Sequence, residues 1–508
     1  MNSDQLSHMT TTQITALSAA QVKAIDTVDL AAMTTAQVSA LSTANVAALS
    51  TNQVNHMTTD QVASLTAAQV KTLSKAQVTA LTSDQVSNLT TTQVSSMLGV
   101  QVSAIETDDL QHMSAGQVAA FTTEQVKALT TAQVAALKSD QVSNLGTAQI
   151  AALSAAQVAA IETADLHAMS ADKVKAFSAT GVANMSTDQV SNMTNAQLSA
   201  LTTGQVRSMS TAQLHALSNG QLGQFTTEQM GALSTAQVAS LATGALASLS
   251  ATKVAALNNT SVSALTTDQV SHLTNAQVAG LSETQVKALT TKQLVALTTD
   301  QAHSLTSTQV SALSGTQVAS LATDDLAALT TSAIAALNAT QVKALTTAQL
   351  VALTTDQVDK LGTAQVAALS STQVAAIETR DLAKFTTEQI QSLTTSAVSA
   401  LTTAQLSKLS IDQISALKTE QVRALTTKQV MALTTDQAAQ LSTAQVAALS
   451  TAQVRALERE LSATFDALYQ LESLKTEFDR EDQRFKKLVE IVSRKAQRIK
   501  AKPFFEKT

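Results

Sequence analysis

The sequence predicts an all-α solenoid, a superhelical rod of 57 octapeptide repeats with a helical C-terminal cap. The first observation is a repeat of the form Leu-Ser/Thr-Thr-x-Gln-Val-x-Ala that runs through residues 1–456 without insertion or deletion. The second is that positions 1 and 6 of each octad are apolar. The third is a set of helix-start signals in almost every octad. Because a stacked array cannot lose its step, unbroken register favours a solenoid over a globular domain with loops.

Each octad carries the sequence signature of a helix N-terminus. Ser or Thr usually occupies position 2, and Gln occupies position 5 in 44 of the 57 octads. Ser or Thr followed three residues later by Gln is a capping box, which places positions 1 and 6 at the two sites of a hydrophobic staple. Acidic residues such as Asp60 and Glu124 collect at position 4, where the helix dipole favours negative charge. The pattern therefore predicts one short capped helix and one turn per octad.

Two other architectures fit the pattern less well. In one continuous helix the apolar stripe would rotate by roughly 80° per octad, which no regular supercoil absorbs. A β-solenoid is disfavoured because the repeats are rich in Ala and Gln, carry few Gly and contain no Pro. We therefore expect helices of about five to seven residues, a turn at positions 1 and 2, and about three to six octads per superhelical turn. Capping alone accounts for the Gln, and a ladder of stacked Gln between units is a second hypothesis.

A coupled variant of the octad has the form Ile-acid-Thr-x-Asp-Leu. It begins at Ile25, Ile105, Ile161 and Ile377, and Asp at position 5 is followed by Leu also at Asp325. We favour a structural interpretation, in which the Thr at position 3 takes over the N-cap role. The alternative is a row of acidic ligands. The irregular spacing of these octads favours the structural interpretation.

No catalytic, cofactor-binding or metal-binding residues are predicted, and we do not expect an enzyme. The seven His residues occupy positions 7 or 8 and never lie in adjacent octads, which favours scattered surface residues over a metal site. Phosphate-binding Gly loops, nucleophile elbows and HxxxH pairs do not occur. The octad that begins Met97-Leu98-Gly99-Val100-Gln101 has lost its hydroxyl cap, and we expect a local kink there.

Composition limits the cellular compartments and the classes of partner that we expect for this chain. The chain has no Cys, so disulfides and thiolate metal sites are excluded. Residues 1–456 hold 20 Lys and Arg against 28 Asp and Glu, which makes nucleic acid an unexpected partner. The first octad has neither a basic region nor an apolar region of a signal peptide, and no stretch is apolar enough to span a membrane. These features are compatible with export by a route that needs no signal peptide, with a cytoplasmic location as the alternative.

Residues 457–508 form a second, non-repetitive region. Large apolar residues recur there every seven residues, which predicts an amphipathic helical or coiled-coil segment. The stripe is our candidate assembly surface and comprises Leu471, Phe478, Phe485, Val492 and Ile499. It serves either as a cap over the last octad or as a module for homo-oligomerisation or docking, and both roles are compatible.

The repeat resembles the Leu-Thr-Thr-x-Gln octapeptide tracts of large bacterial secreted or surface proteins. The resemblance covers residues 1–456 and implies an exported structural or interaction protein, without assigning a role to any residue. We therefore expect a rod-like spacer, scaffold or filament component that needs no cofactor. The alternative is an effector or adhesin that binds a protein partner along one solenoid face through positions 4, 7 and 8.

Overall fold

The computed structural model describes residues 3–456, and all regular structure in this range is helical. The chain divides into two compact units, Met1–Leu265 and Thr266–Thr508. The predicted C-terminal stripe, Leu471 to Ile499, lies outside the described residues.

The first unit contains helices α1 Ser3–Ser7, α2 Thr11–Thr15, α3 Ala19–Lys23, α4 Thr27–Ala31, α5 Thr35–Ser39, α6 Thr43–Ala48, α7 Thr51–His56, α8 Thr59–Ser64, α9 Ala67–Thr72, α10 Lys75–Thr79, α11 Ser83–Ser87, α12 Thr91–Ser96, α13 Gly99–Val102, α14 Thr107–His112, α15 Ala115–Ala119, α16 Thr123–Ala128, α17 Thr131–Ala136, α18 Ser139–Asn144, α19 Thr147–Ala152, α20 Ala155–Ala159, α21 Thr163–Ala168, α22 Ala171–Ala176, α23 Ala179–Ala183, α24 Thr187–Ser191, α25 Asn195–Ala200, α26 Thr203–Ser208, α27 Thr211–Ala216, α28 Asn219–Leu222, α29 Thr227–Ala232, α30 Thr235–Ser240, α31 Thr243–Ala247, α32 Ala251–Ala255 and α33 Asn259–Ser263.

The second unit contains α34 Thr267–Ser271, α35 Asn275–Ala279, α36 Glu283–Ala288, α37 Thr291–Val295, α38 Thr299–Ser304, α39 Ser307–Ala312, α40 Gly315–Ser320, α41 Thr323–Ala328, α42 Thr331–Ala335, α43 Ala339–Ala344, α44 Thr347–Ala352, α45 Thr355–Asp359, α46 Thr363–Ala368, α47 Ser371–Ala376, α48 Thr379–Leu382, α49 Thr387–Ser392, α50 Thr395–Ala400, α51 Thr403–Lys408, α52 Ile411–Ser415, α53 Thr419–Ala424, α54 Thr427–Met431, α55 Thr435–Ala439 and α56 Thr443–Ala447, and residues 451–456 are also helical.

Helix α12 shows how the octad folds. Thr90 is its N-cap in an extended conformation, with φ −70° and ψ 154°. The backbone N–H of Thr90 donates to Gln93 Oε1 at 2.7 Å, and the N–H of Gln93 donates to Thr90 Oγ1 at 3.2 Å. This reciprocal pair is the predicted capping box. The helix ends at Ser96 because Met97 returns to the extended region, with φ −59° and ψ 149°. The turn at positions 1 and 2 is therefore confirmed.

Within each unit, helices pack on the third helix after them, as α4 does on α7 and α40 does on α43. Three octads, or 24 residues, thus complete one turn, at the lower end of the predicted range. The apolar residues of positions 1 and 6 form the core, and nearly all are at most a few percent exposed (Val94 0%, Leu89 4%). Helices this short are unstable alone, so contacts between turns hold them.

The helices have five or six residues, as expected, except α13, α28 and α48, which have four. Two sequence predictions need correction. The shifted cap is wrong: α14 begins at Thr107, with Glu106 as its N-cap, so the acid takes position 2 and the helix keeps its usual start. The octad of Met97 lacks a side-chain cap as predicted, but α13 is simply shortened to four residues and still packs on α16.

Candidate functional site

The principal polar feature of the stack is a hydrogen-bond ladder between turns. The Gln93 amide Nε2 donates to the carbonyl oxygens of Val62 at 2.9 Å, Ala63 at 3.1 Å and Leu65 at 2.7 Å. These three oxygens, at positions 6, 7 and 1 of the preceding turn, mark the end of one helix and the start of the next linker. We call them the carbonyl slot. Since Gln93 Oε1 closes the capping box in its own octad, one buried amide satisfies two helix ends.

The ladder recurs in most octads of the described residues. Gln197 reaches the slot of Leu166, His167 and Met169 in the first unit, and Gln341 reaches that of Val310, Ser311 and Leu313 in the second. Helix C-termini leave carbonyl groups without intrahelical partners, and burying such groups unpaired is costly. The two hypotheses for Gln therefore both hold: Gln is a cap and also a rung between turns.

Four octads replace the amide by a buried carboxylate. Asp109, Asp165, Asp325 and Asp381 are 6%, 6%, 4% and 3% exposed, and all lie at position 5. Each accepts a hydrogen bond from the hydroxyl at position 3 one turn below. Ser83 Oγ donates to Asp109 Oδ1 at 2.7 Å, Thr355 Oγ1 donates to Asp381 Oδ1 at 2.7 Å, and Ser139 donates to Asp165. The acidic octads are thus fixed by a hydroxyl 26 residues earlier, a pairing that sequence inspection missed.

Two octads place an ammonium group in the slot. Lys173 Nζ donates to the carbonyl oxygen of Ser143, and Lys253 Nζ donates to that of Gly223. Both acceptors occupy position 7 of the preceding turn, so both cations lie at the place where a Gln amide nitrogen otherwise lies. The position-7 carbonyl oxygen of the slot therefore accepts either from a neutral amide or from an ammonium group.

Three carboxyl groups are electrostatically perturbed, for two different reasons. Burial raises the pKa of Asp325, against the hydrogen bond from Thr299 that lowers it, and the nearby charge of Asp324 raises it further. Glu228 and Glu388 lie at position 4, where each carboxylate accepts from its own backbone N–H and from Thr hydroxyls of the N-terminal turn, and these bonds lower the pKa of both groups. The first effect reflects a buried acid and the second an ordinary helix start.

The outer surface carries short polar side chains and some charged columns. Positions 2, 3, 4 and 7 are exposed or half-buried through most of the described octads. Because 24 residues complete one turn, side chains spaced by 24 stack on one face. Asp60, Asp84 and Asp108 form one such acidic column in the first unit, and Lys360, Lys384 and Lys408 form a basic column in the second. Lys360 is paired with Asp359 at 3.1 Å.

The His residues do not converge on a site in the described range. His56 Nδ1 lies 2.9 Å from the carbonyl oxygen of Asn52 in its own helix. His167 and His303 instead bridge to the next turn, with Nδ1 at 2.7 Å from the carbonyl oxygens of Asn192 and Ala328. Among the described residues, no group of three His, Asp or Glu side chains has the geometry of a metal site.

A groove in the second unit is open to solvent and is lined mainly by Leu281, Ser282, Glu283 and Thr308, with no convergent charged groups. Apolar side chains are exposed singly, except for Leu98 and Val100 at 43% and 65%, which are the N-cap and the second residue of α13. Within the described residues no helix is long and apolar enough to cross a membrane.

Comparison with known proteins identifies the repeat. The family model of the ALTTAQ repeat matches residues 22–59, 54–91, 102–139, 158–195, 192–227, 212–243, 278–315, 318–355, 347–376, 374–411 and 411–443. These segments cover well over half of the chain. A search of curated proteins gave no match.

Proposed function

The chain belongs to the ALTTAQ repeat family, and from that premise we propose that it is a non-enzymatic spacer or scaffold whose function is to hold other parts at a set separation. The observation that carries the proposal is the contact pattern, in which helices pack on the third helix before and after them. Such a stack gains length by a constant increment per turn without any change in its packing. The many Ser, Thr and Ala side chains of its outer surface suit a spacer.

The stiffness of a spacer can be measured inside the first unit. The chain has no Cys, and Ala44, Ala68, Ala164 and Ala212 are exposed residues at position 4 of one face. Spin labels on Cys at Ala44 and at one of the other three positions would be separated by one, five or seven turns. With about 10 Å per layer of packed helices, we expect separations of roughly 10, 50 and 70 Å with narrow distributions. Separations that level off, or distributions that broaden steeply with turn number, would contradict the proposal.

A second candidate function is recognition of a protein partner along one face. The observation that favours it is the stacking of like charges, since the column of Asp60, Asp84 and Asp108 presents three carboxylates in register. A labelled chain that binds cells saturably, and that loses binding when the three Asp are changed to Asn, would support recognition. The matched control changes three other exposed acids to Asn and should bind as the wild type does. The control acids are Asp140, Asp172 and Asp188, which do not occupy three consecutive turns of one face.

We also propose that the protein is bacterial and reaches the cell surface or the medium. Support comes from the resemblance of the repeat to bacterial secreted and surface proteins and from its polar Ser, Thr and Gln composition. An antibody against the chain should detect it outside intact cells that retain a cytoplasmic marker enzyme. Detection only inside such cells would favour the cytoplasmic alternative.

A further inference from the structure

The residues that replace Gln at position 5 differ in what they bring to the carbonyl slot. Asn45 Nδ2 donates to the carbonyl oxygen of Leu17 at 3.0 Å, and Ser261 Oγ donates to that of Leu233 at 3.0 Å. Lys173 and Lys253 bring an ammonium group. These four side chains all supply N–H or O–H donors. Only an ionised Asp supplies acceptors alone.

By its place in the octad, a buried Asp brings a carboxylate rather than a donor to the side of the helix that faces the carbonyl slot. Opposite Asp109 the slot comprises the carbonyl oxygens of Val78, Thr79 and Leu81, at the negative end of α10. In the described part of the chain no side-chain donor reaches the carbonyl oxygen of Leu81. The same holds for Leu137 opposite Asp165 and for Leu297 opposite Asp325. A buried carboxylate that faces carbonyl oxygens is costly unless a positive group lies between them.

The octad of Asp381 carries a positive group beside its carboxylate. Arg380 Nε lies 3.6 Å from Asp381 Oδ1 and 2.8 Å from Glu378 Oε2, so the buried carboxylate has a cationic neighbour. The octads of Asp109, Asp165 and Asp325 have acidic neighbours instead, namely Asp108, Glu162 and Asp324. Among the described residues no Lys or Arg forms an ion pair with any of these three carboxylates.

We propose that the slots opposite Asp109, Asp165 and Asp325 bind a monovalent cation of the size of potassium or ammonium. The ligands are one carboxylate and the carbonyl oxygens at the end of the helix one turn below, with the Ser or Thr hydroxyl at position 3 orienting the carboxylate. A cationic group already meets one oxygen of this slot elsewhere in the chain, since the ammonium groups of Lys173 and Lys253 donate to the carbonyl oxygen of position 7.

The charge and the size of the slot select the ion. Each slot has a single carboxylate, and its carbonyl oxygens hold a Gln nitrogen at 2.6 to 3.3 Å in equivalent octads, as Gln101 and Gln61 show. Calcium and magnesium prefer shorter distances of about 2.0–2.6 Å and ligand sets richer in carboxylates or water. Backbone carbonyl oxygens that replace a hydration shell are instead the ligands that potassium channels use. A monovalent ion also neutralises one carboxylate without excess charge.

Hydrogen exchange of the intact chain tests the proposal, with potassium chloride compared against tetramethylammonium chloride at equal ionic strength. If 0.2 M potassium exceeds the dissociation constant about tenfold, amides of α10 and α14 should exchange about tenfold more slowly in potassium. The variant D109N/D165N/D325N replaces each carboxylate by an amide that donates, as Asn45 does. It should show no difference between the two salts. In the wild type, the octad of Asp381 should be equally protected in both salts.

Two controls separate ion binding from other effects of charge. The exposed acids Asp60 and Asp84 lie in the column that continues onto α14, and the variant D60N/D84N should keep the full response to potassium at α14. Direct occupancy can be followed with thallium(I) as a potassium probe, by its nuclear resonance. The proposal is overturned if the wild type does not distinguish potassium from tetramethylammonium, or if the triple Asn variant keeps the response.

Discussion

The Gln side chain at position 5 determines how two helix ends are stabilised. Gln93 Oε1 accepts from the N-cap of its own helix, and Gln93 Nε2 donates to the slot one turn below. The amide is 2% exposed, so water cannot readily replace these bonds. A single side chain thus links the capping of one helix to the termination of another.

We predict that Q93M destabilises the stack locally while Q93E destabilises it more. Met keeps the length but leaves the N–H of Thr90 and the carbonyl oxygen of Leu65 without their partners, at a cost of about 1–3 kcal/mol for each group left unsatisfied. Glu adds a negative charge beside that carbonyl oxygen. Hydrogen exchange of α9 and α12 amides would measure both effects. T92A, at an exposed neighbour, is the control, and equal exchange in Q93M and T92A would contradict the prediction.

We predict that D325N raises stability at neutral pH and removes one pH dependence. Burial raises the pKa of Asp325 in the folded state above its unfolded value. Between these two values the folded chain binds more protons, so the stability conferred by this group is full below the unfolded pKa and is lost as pH rises through the folded pKa. Thermal melts at fixed salt across the acidic to neutral range should show the wild type losing stability relative to D325N. Parallel curves would refute this assignment.

At the scale of the element, the octad is one helix, one turn and one rung. The capping box, the staple positions and the turn were all predictable from eight residues, because each depends on neighbours within the octad. The hydroxyl partners of the acidic octads were not predictable in this way. Ser83 and Asp109 lie 26 residues apart, so their contact can be predicted only when the number of octads per turn is known. The prediction of a shifted cap was wrong for the same reason. Local rules suggested that Thr107 caps the helix with Asp109 behind it, whereas Asp109 accepts a hydrogen bond from Ser83 in another turn.

We predict that whole octads can be deleted while half octads cannot. Removing residues 345–352 joins Ala344 to Leu353 and leaves each remaining octad with a capping box or its native substitute. The helices after the deletion are displaced by one octad relative to the turn below them, but each still packs against a carbonyl slot of the same kind. Removing only residues 349–352 deletes Gln349 and Leu350, the rung and the core side chain of α44. Circular dichroism melts should show a clear loss only for the half deletion, and equal melts would mean that the octad is not the unit.

Close contact between helices predicts a compensating pair. A Cβ at Gly99 would lie 2.8 Å from Ala128 Cβ, too close for two backbone-fixed atoms, so α13 and α16 must separate in G99A. We expect G99A to cost about 1–3 kcal/mol of local stability through overpacking, offset in part by the better helix propensity of Ala. A128G should restore the spacing, so the double variant should be more stable than G99A. A double-mutant cycle without coupling would rule out this contact.

At the scale of the whole molecule, the repeat region and residues 457–508 follow different rules. The octads bury their apolar residues against neighbouring turns, and their exposed positions are mostly small and polar. The C-terminal region holds large apolar residues at Leu471, Phe478, Phe485, Val492 and Ile499, which lie outside the described residues. A stripe of this kind spans about 45 Å along a helix, a length better matched by a second amphipathic helix than by the end of one octad.

We therefore predict that this C-terminal region, rather than the repeats, controls self-association. In F485D/V492D two charges would enter the apolar stripe, where unpaired charge is strongly disfavoured. Light scattering should show a lower mass for this variant than for the wild type, while circular dichroism should show the helicity of the octads retained. D482N/K486Q, which changes polar residues between the stripe positions, is the matched control and should keep the wild-type mass. A monomer before and after F485D/V492D, with loss of helicity in the last octads, would instead make the region a cap on its own chain.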